Sequence, residues 1–157
     1  LQILKKKIKL SRKISNYFIN RYYQPVLQLK LTKYLLKFAN SSIDISDGLL
    51  VDLKKMLNRQ NLSFQIKLDK IPTSKFLNDV ILKKKLKKIN LISNGDDYQI
   101  IFTAHQKKRR IINGISKFTG IKISKIGKII SGANKSVIID KKSKQIEPKN
   151  EGYIHEF

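Results

Sequence analysis

The stretch IDISDGLLVDL, residues 43–53, decides the fold because the spacing of its apolar residues changes within it. Ile43 and Ile45 alternate with polar residues, which is typical of a short strand with one buried face. From Leu49 onward the apolar residues recur with a period near 3.6, which is typical of a helix. The pattern therefore predicts a strand that turns directly into a helix, with Ser46 as the N-cap of that helix.

Two carboxylates lie at this strand-to-helix junction. Asp44 would leave the end of the strand, and Asp47 would sit in the first turn of the helix. Mg²⁺ favours such an arrangement, since it takes one or two carboxylates and leaves other positions for waters and phosphate oxygens. The amides at a helix N-terminus would also suit a phosphate. The alternative is that Ser46 and Asp47 are ordinary helix caps and Asp44 is a strand-end residue.

Helical and strand patterns alternate along the rest of the chain. They predict helices over 11–22, 29–38, 75–88 and 107–118, and strands over 62–68, 98–102, 121–130 and 136–140. No P-loop or glycine-rich dinucleotide loop interrupts them. The expected class is α+β, or α/β with a mixed sheet, in a single domain over residues 1–157.

Composition excludes several classes of protein. The chain has no Cys and two well-separated His, His105 and His155, so disulfide scaffolds, zinc ribbons and polyhistidine metal sites are not expected. No apolar run approaches the ~18 residues that a membrane span requires. We therefore expect a cytoplasmic protein with no membrane partner, and neither His is a good candidate for a general base.

The formal net charge of +23 suggests a polyanion partner at first sight. Only five of the 34 basic residues are Arg, however, and Ala is rare. A strongly A/T-biased genome would give this composition without selection for nucleic acid, and the Lys runs lack interleaved aromatic residues that could stack on bases. A nucleic-acid partner is therefore not expected, and a basic nucleic-acid-binding module remains the alternative function. The salt dependence of any such binding would discriminate between them.

A second acidic pair, Asp96-Asp97, follows the Asn94-Gly95 turn. Asp in a tight turn is usually structural, because it hydrogen-bonds its own backbone. The chain has only 11 acidic residues, though, and four of them fall in two turn-associated clusters. This concentration favours a metal or substrate site.

Six segments, in order, resemble the C-terminal domain of the thiamine-monophosphate kinase family. That family belongs to the superfamily of aminoimidazole ribonucleotide synthetase and selenophosphate synthetase. The segments cover nearly the whole chain: RYYQP (21–25), A-x-x-x-IDISDGLLVDL (39–53), DKIPTS (69–74), NGDDYQIIFTA (94–104), IGKI (126–129) and GYIHEF (152–157).

The resemblance implies an ATP- and Mg²⁺-dependent kinase that converts thiamine monophosphate to thiamine diphosphate. It implies that Asp44 and Asp47 are Mg²⁺ ligands and that Ser46 contacts the nucleotide. It further implies that Asp96 contacts the thiamine phosphate and that Tyr153 lies against the thiamine moiety. Another enzyme of the superfamily, with a different phosphate acceptor, is the remaining alternative.

The chain also departs from the family pattern. Asp96 and Gln99 stand where the family commonly has Glu, Gln28 stands where it has Arg, and Glu156 is an insertion in the last segment. The family's N-terminal domain, which binds ATP and forms the dimer, is not present in these 157 residues. The resemblance therefore implies the C-terminal half of a kinase that is a homodimer at full length, and a half that is inactive alone.

Overall fold

The computed structural model describes residues 3, 8–58, 60–132, 135–150 and 152. The helices run in chain order as α1 (Arg12–Tyr23), α2 (Leu29–Phe38), α3 (Leu49–Leu57), α4 (Lys75–Lys83), α5 (Lys88–Leu91) and α6 (Arg109–Thr119). The strands are β1 (Ala39–Asp44), β2 (Leu62–Lys67), β3 (Ile100–Ala104), β4 (Gly127–Ser131), β5 (Val137–Ile139) and β6 (Gln145–Ile146). Short 3₁₀ turns cover Leu68–Lys70 and Gln106–Lys108.

The strands form two sheets. β1 and β3 make an antiparallel ribbon in which Asp44, the last residue of β1, lies opposite Ile100. The other four strands form a sheet in the order β4-β2-β5-β6, where β2 runs antiparallel to β4 and parallel to β5. The expectation of helices packed with a mixed sheet is confirmed.

The larger hydrophobic cluster is centred on α3. Leu53 is 2% exposed and clusters with Phe64 of β2 and Ile101 of β3, so both sheets contribute to the same core. Burying one such side chain contributes about 1.5–3 kcal/mol to the free energy of unfolding. A smaller cluster joins α2 to α6 and to the β1–β3 ribbon, where the Phe38 and Phe102 rings lie 5.0 Å apart. The β1–β3 ribbon is thus packed on both faces, against α3 in the larger cluster and against α2 and α6 in the smaller one.

Three elements differ most from the sequence expectations. The helix predicted over 75–88 is two helices, because Lys85 takes a positive φ of 50° that ends the first one. The strand predicted over 121–130 begins only at Gly127, where pairing with Ile66 starts. β6 lies in a polar segment that gave no strand pattern, and its two residues pair with the edge of β5.

Within the part of the chain that the structure describes, no helix combines the length and the apolar character that a membrane span needs.

The packing of α3 gives the first prediction. Leu53→Ala should lower the free energy of unfolding by about 2–5 kcal/mol, because it leaves a cavity between α3 and both sheets. Leu36→Ala is the matched control, since Leu36 is 98% exposed on α2 and its truncation leaves no cavity. Urea denaturation of both variants measures the difference. Equal losses would contradict the position of Leu53 at the centre of the core.

Candidate active site

One buried carboxylate holds the loop between β1 and α3. Asp52 lies in the first turn of α3, and its side chain is 1% exposed. Its Oδ2 accepts hydrogen bonds from the amides of Ser46 (2.9 Å), Asp47 (2.9 Å) and Gly48 (3.2 Å). Three charge-assisted bonds to one oxygen satisfy amides that would otherwise lack partners and fix the course of the loop.

This arrangement corrects two expectations about the start of α3. The helix begins at Leu49 and not within Ser46–Gly48, with Gly48 in the N-cap position, so Ser46 is not the N-cap and Asp47 precedes the first turn. The amides of residues 46–48 are taken by Asp52, and that of Leu49 donates to the carbonyl of Ile92 at 3.1 Å. These four amides are therefore engaged within the chain, and a phosphate contact at the helix N-terminus stays a prediction.

Of the two candidate metal ligands, Asp44 lies just before this loop and Asp47 lies within it. Asp44 is exposed at the end of β1. The side chain of Asp47 is 14% exposed, and its Oδ2 accepts a short hydrogen bond from Lys55 Nζ. The same ammonium lies 3.3 Å from Asp52 Oδ1, so Lys55 bridges the two carboxylates.

The charge of Lys55 responds to this environment. The hydrogen bond that Lys55 donates to Asp47 raises the pKa of the Lys55 ammonium above its usual value, burial opposes the rise, and Asp52 adds to it. Lys55 is half exposed, so solvent screens the interaction. The ammonium therefore stays charged at neutral pH and compensates the acidic pair.

The turn that carries Asp96 lies against the same loop. The Asp96 amide donates to the Ser46 carbonyl at 2.9 Å, and the Tyr98 amide donates to the Ile45 carbonyl at 2.9 Å. The Ile45 amide in turn donates to the Gln99 carbonyl at 2.9 Å. These main-chain bonds extend the β1–β3 ribbon beyond its strands and bring two segments, distant in sequence, side by side.

Glycines make this close approach possible. A Cβ at Gly95 would lie 2.1 Å from the Ser46 carbonyl oxygen, so the backbones could not meet with any side chain there. Gly48 has φ of 123°, a conformation that L side chains rarely adopt, and its Cβ would lie 2.7 Å from the Ser93 carbonyl oxygen. Gly152 also reaches the loop, since a Cβ there would lie 2.8 Å from the Asp47 carbonyl oxygen.

The two acidic residues of the turn differ from each other. Asp96 is exposed and takes a positive φ of 64°. Neighbouring protein atoms raise the pKa of the Asp97 carboxyl by desolvation, and the negative charge of Asp96 raises it further. By surface area Asp97 is nevertheless exposed, so water moderates both effects. Both carboxylates of the turn are therefore open to solvent.

A third segment reaches the edge of the site. Gln28 Nε2 donates to Gln99 Oε1 at 3.1 Å, and Gln99 Nε2 donates to the Val26 carbonyl at 3.4 Å. Two of the positions that depart from the family pattern, 28 and 99, are therefore in direct contact. Two neutral amides meet where the resemblance implies an Arg and a Glu.

The structure thus brings together four of the five residues singled out from the sequence. Asp44, Ser46 and Asp47 lie on one loop, and Asp96 lies on the turn bonded to it. Tyr153 lies outside the described residues. Among the residues that the structure describes, no three His, Cys, Asp or Glu side chains form a group that could hold a metal ion by themselves.

Sequence reasoning missed Asp52 and Lys55. A signal for Asp52 was present, because it falls on the same helical face as Leu49, Leu53 and Met56, which are apolar. A carboxylate on a buried face needs hydrogen-bond donors, and the nearest unpaired donors are the amides that precede the helix. Lys55 gave no comparable signal, since lysine occurs throughout the chain.

The role of Asp52 gives the second prediction. Asp52→Asn should lower the free energy of unfolding by roughly 2 kcal/mol or more, because the amide lacks the charge that strengthens the three loop bonds. Chemical denaturation measures the loss. Glu147→Gln makes the same chemical change in an exposed ion pair with Lys135 and should have little effect. Similar small effects in both variants would show that Asp52 does not hold the loop.

Comparisons with known proteins agree with this architecture. The chain is 35% identical over 157 residues to a thiamine-monophosphate kinase of Buchnera aphidicola from Schizaphis graminum, covering 99% of the chain and 48% of that protein. It is 32% identical over 138 residues to the thiamine-monophosphate kinase of Aquifex aeolicus, covering 87% of the chain and 40% of that protein. No family model matches the chain.

The fold is shared with solved structures as well. A structure described as AaThiL complexed with AMPPCP and TMP superposes with a TM-score of 0.73 at 24% identity, over 98% of this chain and 46% of that one. A second structure, of thiamine monophosphate kinase from Aquifex aeolicus, gives a TM-score of 0.67 at 24% identity, over 94% of this chain and 46% of that one. The chain spans about half the length of the curated relatives it matches. By sequence along nearly its whole length, and by fold, the chain is a homologue of the thiamine-monophosphate kinases, corresponding to about half of such a protein.

Proposed function

We propose that the chain supplies part of the active site of an ATP- and Mg²⁺-dependent kinase that phosphorylates thiamine monophosphate to thiamine diphosphate. The observation that carries the proposal is the main-chain pairing of two acidic segments, in which the Asp96 amide bonds the Ser46 carbonyl. That pairing places one candidate metal-binding loop beside one candidate substrate-binding turn. Its support comes also from relatives named as thiamine-monophosphate kinases and from a similar structure described with AMPPCP and TMP.

The chemistry of the donors fits Mg²⁺. Asp44 and Asp47 offer carboxylate oxygens, the hard ligands that this ion prefers, and Mg²⁺ needs one or two of them beside waters and phosphate oxygens. When bound, the ion would neutralise charge on the transferring phosphoryl group. Two carboxylates meet that need, and waters, phosphate oxygens and ligands from a second domain would fill the other positions.

The loop between β1 and α3 is proposed to act by holding side chains in place more than by offering amide donors to a phosphate. Because Asp52 and Ile92 occupy the amides of residues 46–49, Ser46 has its hydroxyl to offer a nucleotide. Phosphoryl transfer depends mainly on holding donor, metal and acceptor in line, so a rigid loop beside the acceptor is a substantial contribution. Asp96, exposed on the adjoining turn, is proposed to contact the thiamine phosphate.

Tyr153 is proposed as an aromatic contact to the thiamine moiety on the resemblance alone. Gly152, the residue before it, is within the described part and lies against the loop that carries Asp47.

The active site is proposed to be complete only with a second domain. We propose that residues 1–157 form a single domain equivalent to the C-terminal half of the relatives, and that an N-terminal ATP-binding and dimer-forming domain supplies the remaining ligands. One face of the chain supports this: apolar residues near the connection between α1 and α2 are exposed, at 66% for Tyr23, 55% for Leu27 and 65% for Leu29. This face continues to Val26, which contacts Gln99 at the edge of the site.

The third prediction tests completeness. Purified chain alone should form no measurable thiamine diphosphate from thiamine monophosphate and ATP, because only part of the charge-compensating machinery is present. Fusing it to the remaining half of the Buchnera relative should give ATP-dependent turnover. The control is the Buchnera relative itself, cut at the same point and joined again, which shows whether the junction alone affects activity. Robust turnover by the chain alone, or none by the fusion when the control is active, would contradict the proposal.

The fourth prediction tests the metal ligands within the active fusion. Asp44→Asn should lower turnover at least ~100-fold with little change in unfolding temperature, because the exposed side chain carries metal-binding charge and no packing. Asp79→Asn on α4 makes the same change outside the site and should retain activity. Near-normal turnover by Asp44→Asn would remove Asp44 from the metal site.

A further inference from the structure

Lys55 occupies an unusual position in this site. Its ammonium is hydrogen-bonded to Asp47, the proposed metal ligand, and lies 3.3 Å from Asp52, the carboxylate that holds the loop. The two acids play different parts, since Asp52 is 1% exposed while Asp47 faces the site at 14% exposure. The Lys55 ammonium therefore links Asp52, which holds the loop, to Asp47, the proposed metal ligand.

The two oxygens of Asp52 are also used differently. Oδ2 accepts the three loop amides, and Oδ1 lies toward the Lys55 ammonium. An ammonium that left Asp47 would thus keep a buried anionic partner. Lys55 is half exposed on a flexible four-carbon stem, so such a shift needs side-chain rotation and no movement of α3.

We propose that Lys55 is an internal counter-cation that competes with a divalent metal for Asp47 and withdraws onto Asp52 when the metal binds. This proposal rests on the assignment of Asp47 as a metal ligand. A Mg²⁺ ion and an ammonium cannot share one carboxylate oxygen closely, because their like charges repel. Lys55 thus keeps Asp47 compensated and in place without metal, and it weakens the intrinsic metal affinity of the loop.

The test measures binding of Mn²⁺, used as the probe, by electron paramagnetic resonance of the full 157-residue chain. Lys55→Met removes the ammonium and keeps the length of the side chain, and it should lower the Mn²⁺ dissociation constant about three- to fivefold, as expected for loss of one half-exposed competing ion pair. Lys55→Arg keeps the charge and should stay near the unaltered chain. Lys33→Met removes a lysine from exposed α2 and should change the constant less than about twofold, since salt screens distant charges.

Two results would overturn the proposal: unchanged or weaker Mn²⁺ binding by Lys55→Met, or no detectable binding by that variant. A second measurement needs no substitution. Acetylation of Lys55, followed by mass spectrometry in the unaltered chain, should speed up when Mg²⁺ is added, while that of Lys33 should not. Unchanged reactivity of Lys55 in saturating Mg²⁺ also counts against it.

Asp47→Asn separates this proposal from the function on which it rests. In the Lys55→Met chain, Asp47→Asn should abolish the gain in Mn²⁺ affinity. If Asp47→Asn leaves Mn²⁺ binding unchanged in either chain, the assignment of Asp47 as a metal ligand is wrong. If Asp47→Asn weakens binding while Lys55→Met does not tighten it, the metal site stands and the role of Lys55 is refuted.

Discussion

The site depends on the bonds between the Asp52 carboxylate and the three loop amides that precede its own helix. A buried carboxylate is costly unless donors surround it, and buried amides are costly unless an acceptor meets them. Here the carboxylate of Asp52 accepts from the amides of residues 46–48, so both kinds of group are satisfied within seven residues of chain. The resulting loop fixes where Asp44 and Asp47 stand, and it presents the Ser46 carbonyl to the turn that carries Asp96.

The same bonds decide what kind of ligand contact the loop can make. A free helix N-terminus would offer amides directly to a phosphate. Asp52 takes the amides of residues 46–48, so this loop presents mainly carbonyl and side-chain oxygens, which suit a cation better than a phosphate. In a chain with formal net charge +23, this small acidic region is a local exception. Within this region, the Lys55 ammonium balances part of the negative charge of Asp47 and Asp52.

Much of this arrangement could be predicted from the sequence, and the reasons for the rest are physical. The change of period between Ile45 and Leu49 predicted the strand and the helix, because both elements bury one face and so leave a periodic pattern. The pairing of the loop with the Asp96 turn could not be derived in that way, since it uses main-chain atoms that every residue carries. The glycine at 95 was read as part of a turn, whereas its essential property is the absence of a Cβ beside the Ser46 carbonyl. Boundaries were missed where a single backbone torsion, as at Lys85, outweighs helical propensity.

The pairing of β1 with β3 also has a kinetic consequence. Asp44 lies opposite Ile100, and the chain between them contains α3, β2, α4 and α5. Closing so long a loop costs chain entropy before its contacts form, so this ribbon is expected late in folding. The two acidic segments are therefore apart in a growing or partly folded chain and meet only once the intervening core has formed. A ligand that bridges them would bind the folded state alone, and it would stabilise the whole domain through the last contact to be made.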